Sequence, residues 1–143
     1  MFGILKKYTV HLCSEVRGNI TLQGKPLPNI EIKRSLTYAD EEQIEVTKTD
    51  ENGCFAFDEK LMKSKLPGNI LHQPVVRQIV YLKHEDENYV LWYANQRGIS
   101  PIPGYVSRLL KLNAELTTEE LSQEIENEED LDYPHCTTSI CRW

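Results

Sequence analysis

The chain has 143 residues, 40% of them apolar and 27% charged, and a formal net charge of −6. That composition is ordinary for one globular domain, excludes a disordered chain, and suffices for a single core that buries about 68–70% of the unfolded surface. The acidity is local: 15 Lys and Arg stand against 13 Asp and Glu up to Lys111, and nine acids against Arg142 alone from Leu112 onward, so the clustered positive charge that nucleic acid requires is missing.

At the start, Met1-Phe2-Gly3-Ile4-Leu5 is apolar but precedes Lys6 and Lys7, the reverse of a secretory signal. The expectation is a cytoplasmic protein, or a periplasmic one if the sequence is a mature form. Apolar runs such as Ile79-Val80-Tyr81-Leu82 are far below the roughly 20 residues of a membrane span.

From Tyr8 to Leu116 the apolar residues alternate with period two between turn signals, which predicts a mainly β, antiparallel β-sandwich of about eight strands. Tyr8, Val10 and Leu12 share one face, leaving His11 on the solvent side; Val16, Gly18, Ile20 and Leu22 follow, then a turn through Gln23 to Pro28. Ile30, Ile32, Leu36 and Tyr38 line a third strand, and the acidic turn Asp40-Glu41-Glu42 leads to Ile44 and Val46 of a fourth. Asp50-Glu51-Asn52-Gly53 is a strong turn, followed by Phe55 and Phe57 pointing inward. Between Asp58 and Pro74 alternation stops in a long connection carrying Lys60, Lys63 and Lys65. Val75 to His84 and Tyr89 to Ala94 form a hairpin. Ile99 to Gly104 is irregular, and Val106 to Leu116 reads as a strand with Leu110, Leu112, Ala114 and Leu116 on one face.

The sandwich therefore spans residues 1–116, and 117–143 is an acidic extension expected to dock on it. Thr117-Thr118-Glu119-Glu120 has capping-box spacing, and Leu121 and Ile125 at i and i+4 predict one short C-terminal helix. Tyr133 to Trp143 carries enough apolar surface to pack back on the body.

Two stretches carry a family likeness: Gly18-Asn19-Ile20-Thr21-Leu22-Gln23-Gly24-Lys25-Pro26-Leu27-Pro28-Asn29-Ile30-Glu31-Ile32, and Thr49-Asp50-Glu51-Asn52-Gly53-Cys54-Phe55-Ala56-Phe57. Together they resemble the transthyretin-like, carboxypeptidase-regulatory-like domains, over about residues 16–57, in turn and core positions. The whole layout, from Met1–Tyr8 to Ser139-Ile140-Cys141-Arg142-Trp143, is similar to a family of small bacterial proteins built on that core. The resemblance implies a fold rather than an activity. The hydrolases of that fold end in Tyr-Arg-Gly-Ser, where this chain ends Ile140-Cys141-Arg142-Trp143, and no catalytic residue, metal or cofactor is assigned.

His135, Cys136 and Cys141 place three soft donors close together, with His72, His84 or Cys54 as a fourth, but the spacing is that of no zinc motif. Reading Cys141 and Trp143 as core and His135 as exposed is the plainer account. In an extended segment Cys136 and Cys141 lie about 16 Å apart, beyond the reach of a disulfide without a tight turn. Cys13 and Cys54 have no neighbouring base and are read as structural; the acidic turns at Asp40, Asp50 and Glu85 lack the periodicity of a calcium loop.

The candidate partner-binding residues are Glu119, Glu120, Glu124, Glu126, Glu128, Glu129, Asp130 and Asp132. Carboxylates presented together steer a basic surface into contact. The first functional expectation is a non-enzymatic binding protein, a bacterial immunity-type protein that neutralises a cognate toxin through a basic domain of it. The second is a saccharide-binding or structural module of an envelope-associated assembly, using Trp92, Tyr93 or Tyr105, of which at least one of Trp92 and Tyr93 belongs to the core. The bland account of the acidic segment is solvation, or contact with Lys60, Lys63 and Lys65.

Overall fold

A computed structural model of the chain describes residues 6–69 and 71–143; the apolar start at Met1–Leu5 lies outside them. The fold is mainly β and sandwich-like, with twelve strands and one short α-helix among the described residues. One layer is a six-stranded antiparallel sheet in the order β11-β12-β9-β8-β4-β5, built from β4 (Glu31–Tyr38), β5 (Glu41–Lys48), β8 (Val75–His84), β9 (Glu87–Arg97), β11 (Leu121–Ile125) and β12 (His135–Ser139). Against it lie β2 (Val16–Leu22), paired to β3 (Lys25–Pro26), β6 (Cys54–Phe57) and β10 (Leu112–Glu115), and the pair β1 (Tyr8–Cys13) and β7 (Lys60–Ser64). Among the described residues no helix is long and apolar enough to cross a membrane.

The expected turns form for local reasons. Asp50 Oδ1 accepts the amides of Asn52 and Cys54, each at 2.9 Å, and Gly53 takes a φ of 78° that glycine adopts without steric cost. The hairpins β4–β5 and β8–β9 turn on Ala39-Asp40 and Glu85-Asp86, all four at positive φ, the twist that two-residue hairpin loops need. Between the layers Val10, Leu12, Val16, Ile20, Ile32, Leu36, Phe55, Phe57, Leu82 and Trp92 are buried.

Several expectations are corrected. The Asp58–Pro74 connection is not a loop throughout, because Lys60–Ser64 pairs antiparallel with β1. Val106 begins no strand: Pro103–Leu109 is the helix α1, with Pro103 at its start, and Leu110 is exposed. Leu112, Ala114 and Leu116 do share a buried face, but β10 pairs parallel with β2, an arrangement that requires a long crossover, here the chain from β3 to α1. The helix expected after Thr117 is absent. The Thr117 amide and hydroxyl bond the Glu115 carboxylate instead, and Leu121–Ile125 is a strand along β12. A spacing of four residues returns to the same face in a strand as well as in a helix; at the far end of that face Ile125 is buried, while Leu121 is exposed.

His11 is also corrected: it is 5% exposed, not on the solvent side. β1 crosses the inner face of the large sheet, and buried amides satisfy its carbonyls. Gln78 Nε2 donates to Leu12 O at 2.9 Å and Gln96 Nε2 to His11 O at 2.7 Å, while Trp92 Nε1 donates to Gln78 Oε1 at 3.0 Å. Unmade, each such bond would leave a buried polar group at a cost of about 1–3 kcal/mol.

Candidate functional site: an acidic cleft beside the last hairpin

The β11–β12 hairpin places the acidic residues. β12 pairs with β9 through Thr137 and Thr138, so the loop between β11 and β12 hangs beside the end of β9. α1 fixes the spacing. Gly104 lies so close to β11 that a Cβ there would sit 2.4 Å from Ile125 Cγ2, which glycine alone allows. The result is a cleft of about 720 Å³ walled on one side by Arg97 to Gly104 and on the other by Glu126 to Asp130, with His135 lining it.

Of the eight candidate acids, Glu126, Glu128, Glu129 and Asp130 line this cleft. Glu119 and Glu120 stand just before β11, Glu124 is exposed on that strand, and Asp132 lies further along the loop. All eight are exposed, and among the described residues none is in an ion pair. The suggested contact with Lys60, Lys63 and Lys65 is therefore not what holds the segment; Lys63, for one, bonds Thr9. Its order is internal. Asn127 Oδ1 accepts the Glu129 amide, Asn127 Nδ2 donates to Tyr133 O, and Asp130 Oδ1 accepts the Asp132 amide.

His135 is half-buried against the Tyr105 ring, edge to face at 5.4 Å. Burial first and the Arg97 charge second hold its imidazole below the ordinary value, against the opposing pull of Glu129. The Tyr105 hydroxyl, pushed up to about 12 mainly by burial, donates to Asn95 O at 3.0 Å. The cleft thus offers carboxylates on the loop between β11 and β12 against a wall stiffened by Pro101 and Pro103, and its chemistry is that of an acceptor for cationic side chains.

The soft donors do not converge. His135 and Cys136 are consecutive in β12 and point to opposite faces; Cys136 is exposed and Cys141 buried, its thiol pushed up to about 11 by burial. No group of three or more His, Cys, Asp or Glu side chains is arranged to hold a metal among the described residues. Trp92 and Tyr105 are core residues at 0% and 2% exposure, which leaves Tyr93 on the surface. Trp143, expected in the core, is exposed, though it packs edge to face on Trp92 at 5.8 Å.

A second constellation has no signature in the sequence. Ser14 Oγ lies 3.0 Å from His11 Nε2, and Glu59 is 3.7 Å from His11 Nδ1. Arg34, fully buried, lies alongside, its Nη1 directed at the Ser14 carbonyl. Ser14 and His11 are both buried and line neither this cleft nor the smaller one at Thr37, His72 and Arg77, so the group reads as a buried polar cluster in which Arg34 Nε alone lacks a partner among the described residues. Nothing in the local pattern marks it, since His11 and Arg34 each occupy one beat of an ordinary strand.

Residues 16–119 match a family described as a domain of unknown function (DUF6795), and the chain belongs to that family. No curated protein and no solved structure matches it. The matched span includes the proline-stiffened wall of the cleft and ends before the acidic one.

Proposed function

We propose that this chain, a member of the DUF6795 family, is a non-enzymatic protein-binding domain of the immunity type, which neutralises a cognate toxin in the cytoplasm by receiving a basic segment of it in the acidic cleft. The observation that carries the reading is that Glu126, Glu128, Glu129 and Asp130, none of them ion-paired among the described residues, line one cleft against a proline-stiffened wall. Unpaired carboxylates at a rim accelerate encounter with a basic surface, and a cleft converts encounter into register. The sandwich core is proposed to be transthyretin-like, supported by the β2–β6 pairing and by the turn at Asp50–Gly53. The test is co-expression with the product of the neighbouring gene, followed by association kinetics. A one-to-one complex is expected, with an on-rate that falls about tenfold in Glu126→Gln/Glu128→Gln/Glu129→Gln/Asp130→Asn and loses its salt dependence. Absence of both complex and protection, or an on-rate indifferent to those four changes, would remove the proposal.

A further inference from the structure

β5 closes one end of the six-stranded sheet and among the described residues pairs with β4 alone, over eight residues without a register shift. It contains no proline. The Thr49 amide donates to the Ile30 carbonyl, and alternation along the ladder then turns the odd-numbered residues of β5 toward β4. The N–H and C=O groups of Glu42, Ile44, Val46 and Lys48 therefore face away from the sheet, and among the described residues nothing bonds them. Their side chains lie on the outer face, where Ile44 and Val46 are 52% and 53% exposed. An unpaired edge of this length is a template for another strand, and this one carries Ile44 and Val46 on its outer face between Glu42 and Lys48.

We propose that this edge pairs with the same edge of a second copy, antiparallel, about a two-fold axis at Glu45. The choice of occupant rests on self-complementarity. In that register Glu42 faces Lys48 of the second copy, Ile44 faces its Val46, and both relations are repeated by symmetry. These are the residues whose backbone groups point outward, so side-chain matching and hydrogen bonding select the same register. Moving the axis to Ile44 sets Glu42 against Val46. Moving it to Val46 sets Glu42 against Asp50, two like charges. An inward-pointing charge is a usual guard on a sheet edge, and Glu45 has that place here. Its carboxylate is already bonded to Arg34 of its own chain at 2.8 Å, so the two Glu45 side chains meet at the axis partly neutralised. On the outer face Ile44 continues through Ser35 and Ile79 to Tyr93, and pairing joins two such apolar rows.

One strand from each copy is a small interface beside the roughly 1,200–2,000 Å² of stable specific complexes, so the dimer is expected to depend on concentration. Sedimentation equilibrium on the full chain reads it directly. Glu42→Lys and Lys48→Glu each turn two opposite-charge pairs into two like-charge pairs, and each should weaken association about tenfold. Their combination restores the pairs and should restore the dimer. Val46→Pro removes an outward N–H without touching the β4 ladder and should leave a monomer with unchanged circular dichroism. A wild-type chain that stays monomeric up to high micromolar concentration, or a dimer insensitive to the charge swap and to the proline, would overturn the proposal. So would an edge that captures only a foreign strand.

Discussion

Arg34 occupies a position where the inward rhythm of β4, through Ile32, Leu36 and Tyr38, calls for an apolar side chain, and it is fully buried. Its Nη2 donates to Glu45 Oε1 and to the Asp58 carbonyl, each at 2.8 Å, and its guanidinium lies 4.9 Å from the Phe57 ring centroid. Nε has no partner among the described residues. Glu45 is one-third exposed, and that asymmetry gives an unequal prediction. Glu45→Ala leaves a guanidinium in the core without its counter-charge, which costs about 3–5 kcal/mol. Arg34→Met removes the charge and keeps most of the volume; water can take over Glu45, and the remaining loss is the Asp58 carbonyl's bond and the longer one to the Ser14 carbonyl, together about 1–2 kcal/mol. Truncating the more exposed partner should therefore destabilise more than replacing the buried one. The double variant should sit near Arg34→Met alone. Equilibrium urea unfolding at low protein concentration measures all three. A Glu45→Ala loss below about 1 kcal/mol, or one no larger than that of Arg34→Met, would refute an uncompensated buried charge as the source.

Glu115, held down to about 2 by the amides of Gly24 and Thr117 and less by that of Gln23, sits below its ordinary 4.5 when folded. Its contribution to stability is thus complete above about 4.5 and lost as pH falls toward 2; Glu115→Gln should flatten the fall in urea midpoint across that window, and an unchanged slope would count against it. Gly18→Ala would place a Cβ 2.1 Å from the Leu112 carbonyl oxygen and 2.6 Å from the Phe55 ring, so the parallel β2–β10 pair must part, at about 3 kcal/mol in a thermal or urea melt. Of four free thiols, Cys54 and Cys136 are exposed, whereas Cys13 and Cys141 are buried and pushed up to about 11 by that burial. A disulfide reagent should titrate two thiols in the folded chain and four after unfolding.

The parts of the fold legible in the sequence are those decided locally. The turn at Asp50–Gly53 is closed by its own side chain, and Ile20, Ile32, Leu36, Phe55 and Phe57 sit in the core at the beats alternation assigns them. Where neighbours decide, the reading fails. Leu121 and Ile125 satisfy both periods, and only β12, reached through a loop, chooses the strand. Lys60–Ser64 has the composition of a loop and becomes a strand because β1 offers it an edge. His11 and Arg34 look like ordinary solvent-side and core-beat residues; their burial depends on Ser14, Glu45 and Asp58. The acidic segment was visible as composition, and four of its eight carboxylates meet in a cleft. The opposing wall, Arg97–Gly104, carried no signal, because a cleft is a relation between segments brought together by the sheet.

The two proposed surfaces sit at opposite ends of one sheet. β5 is its last strand on one side, and β11 and β12, which carry the acidic loop, are its last on the other. Pairing at β5 would thus leave both clefts outermost and facing away from the junction, so a dimer presents two independent sites without occluding either. Linked sites raise retention on a multivalent target while leaving single-site affinity unchanged. Val46→Pro separates the effects: in solution with a monovalent partner its dissociation constant should equal that of the wild type, whereas on a surface densely loaded with partner its release should be faster. Equal release from the dense surface would show that the two ends do not act together. A changed solution affinity would show that the edge and the cleft are not independent.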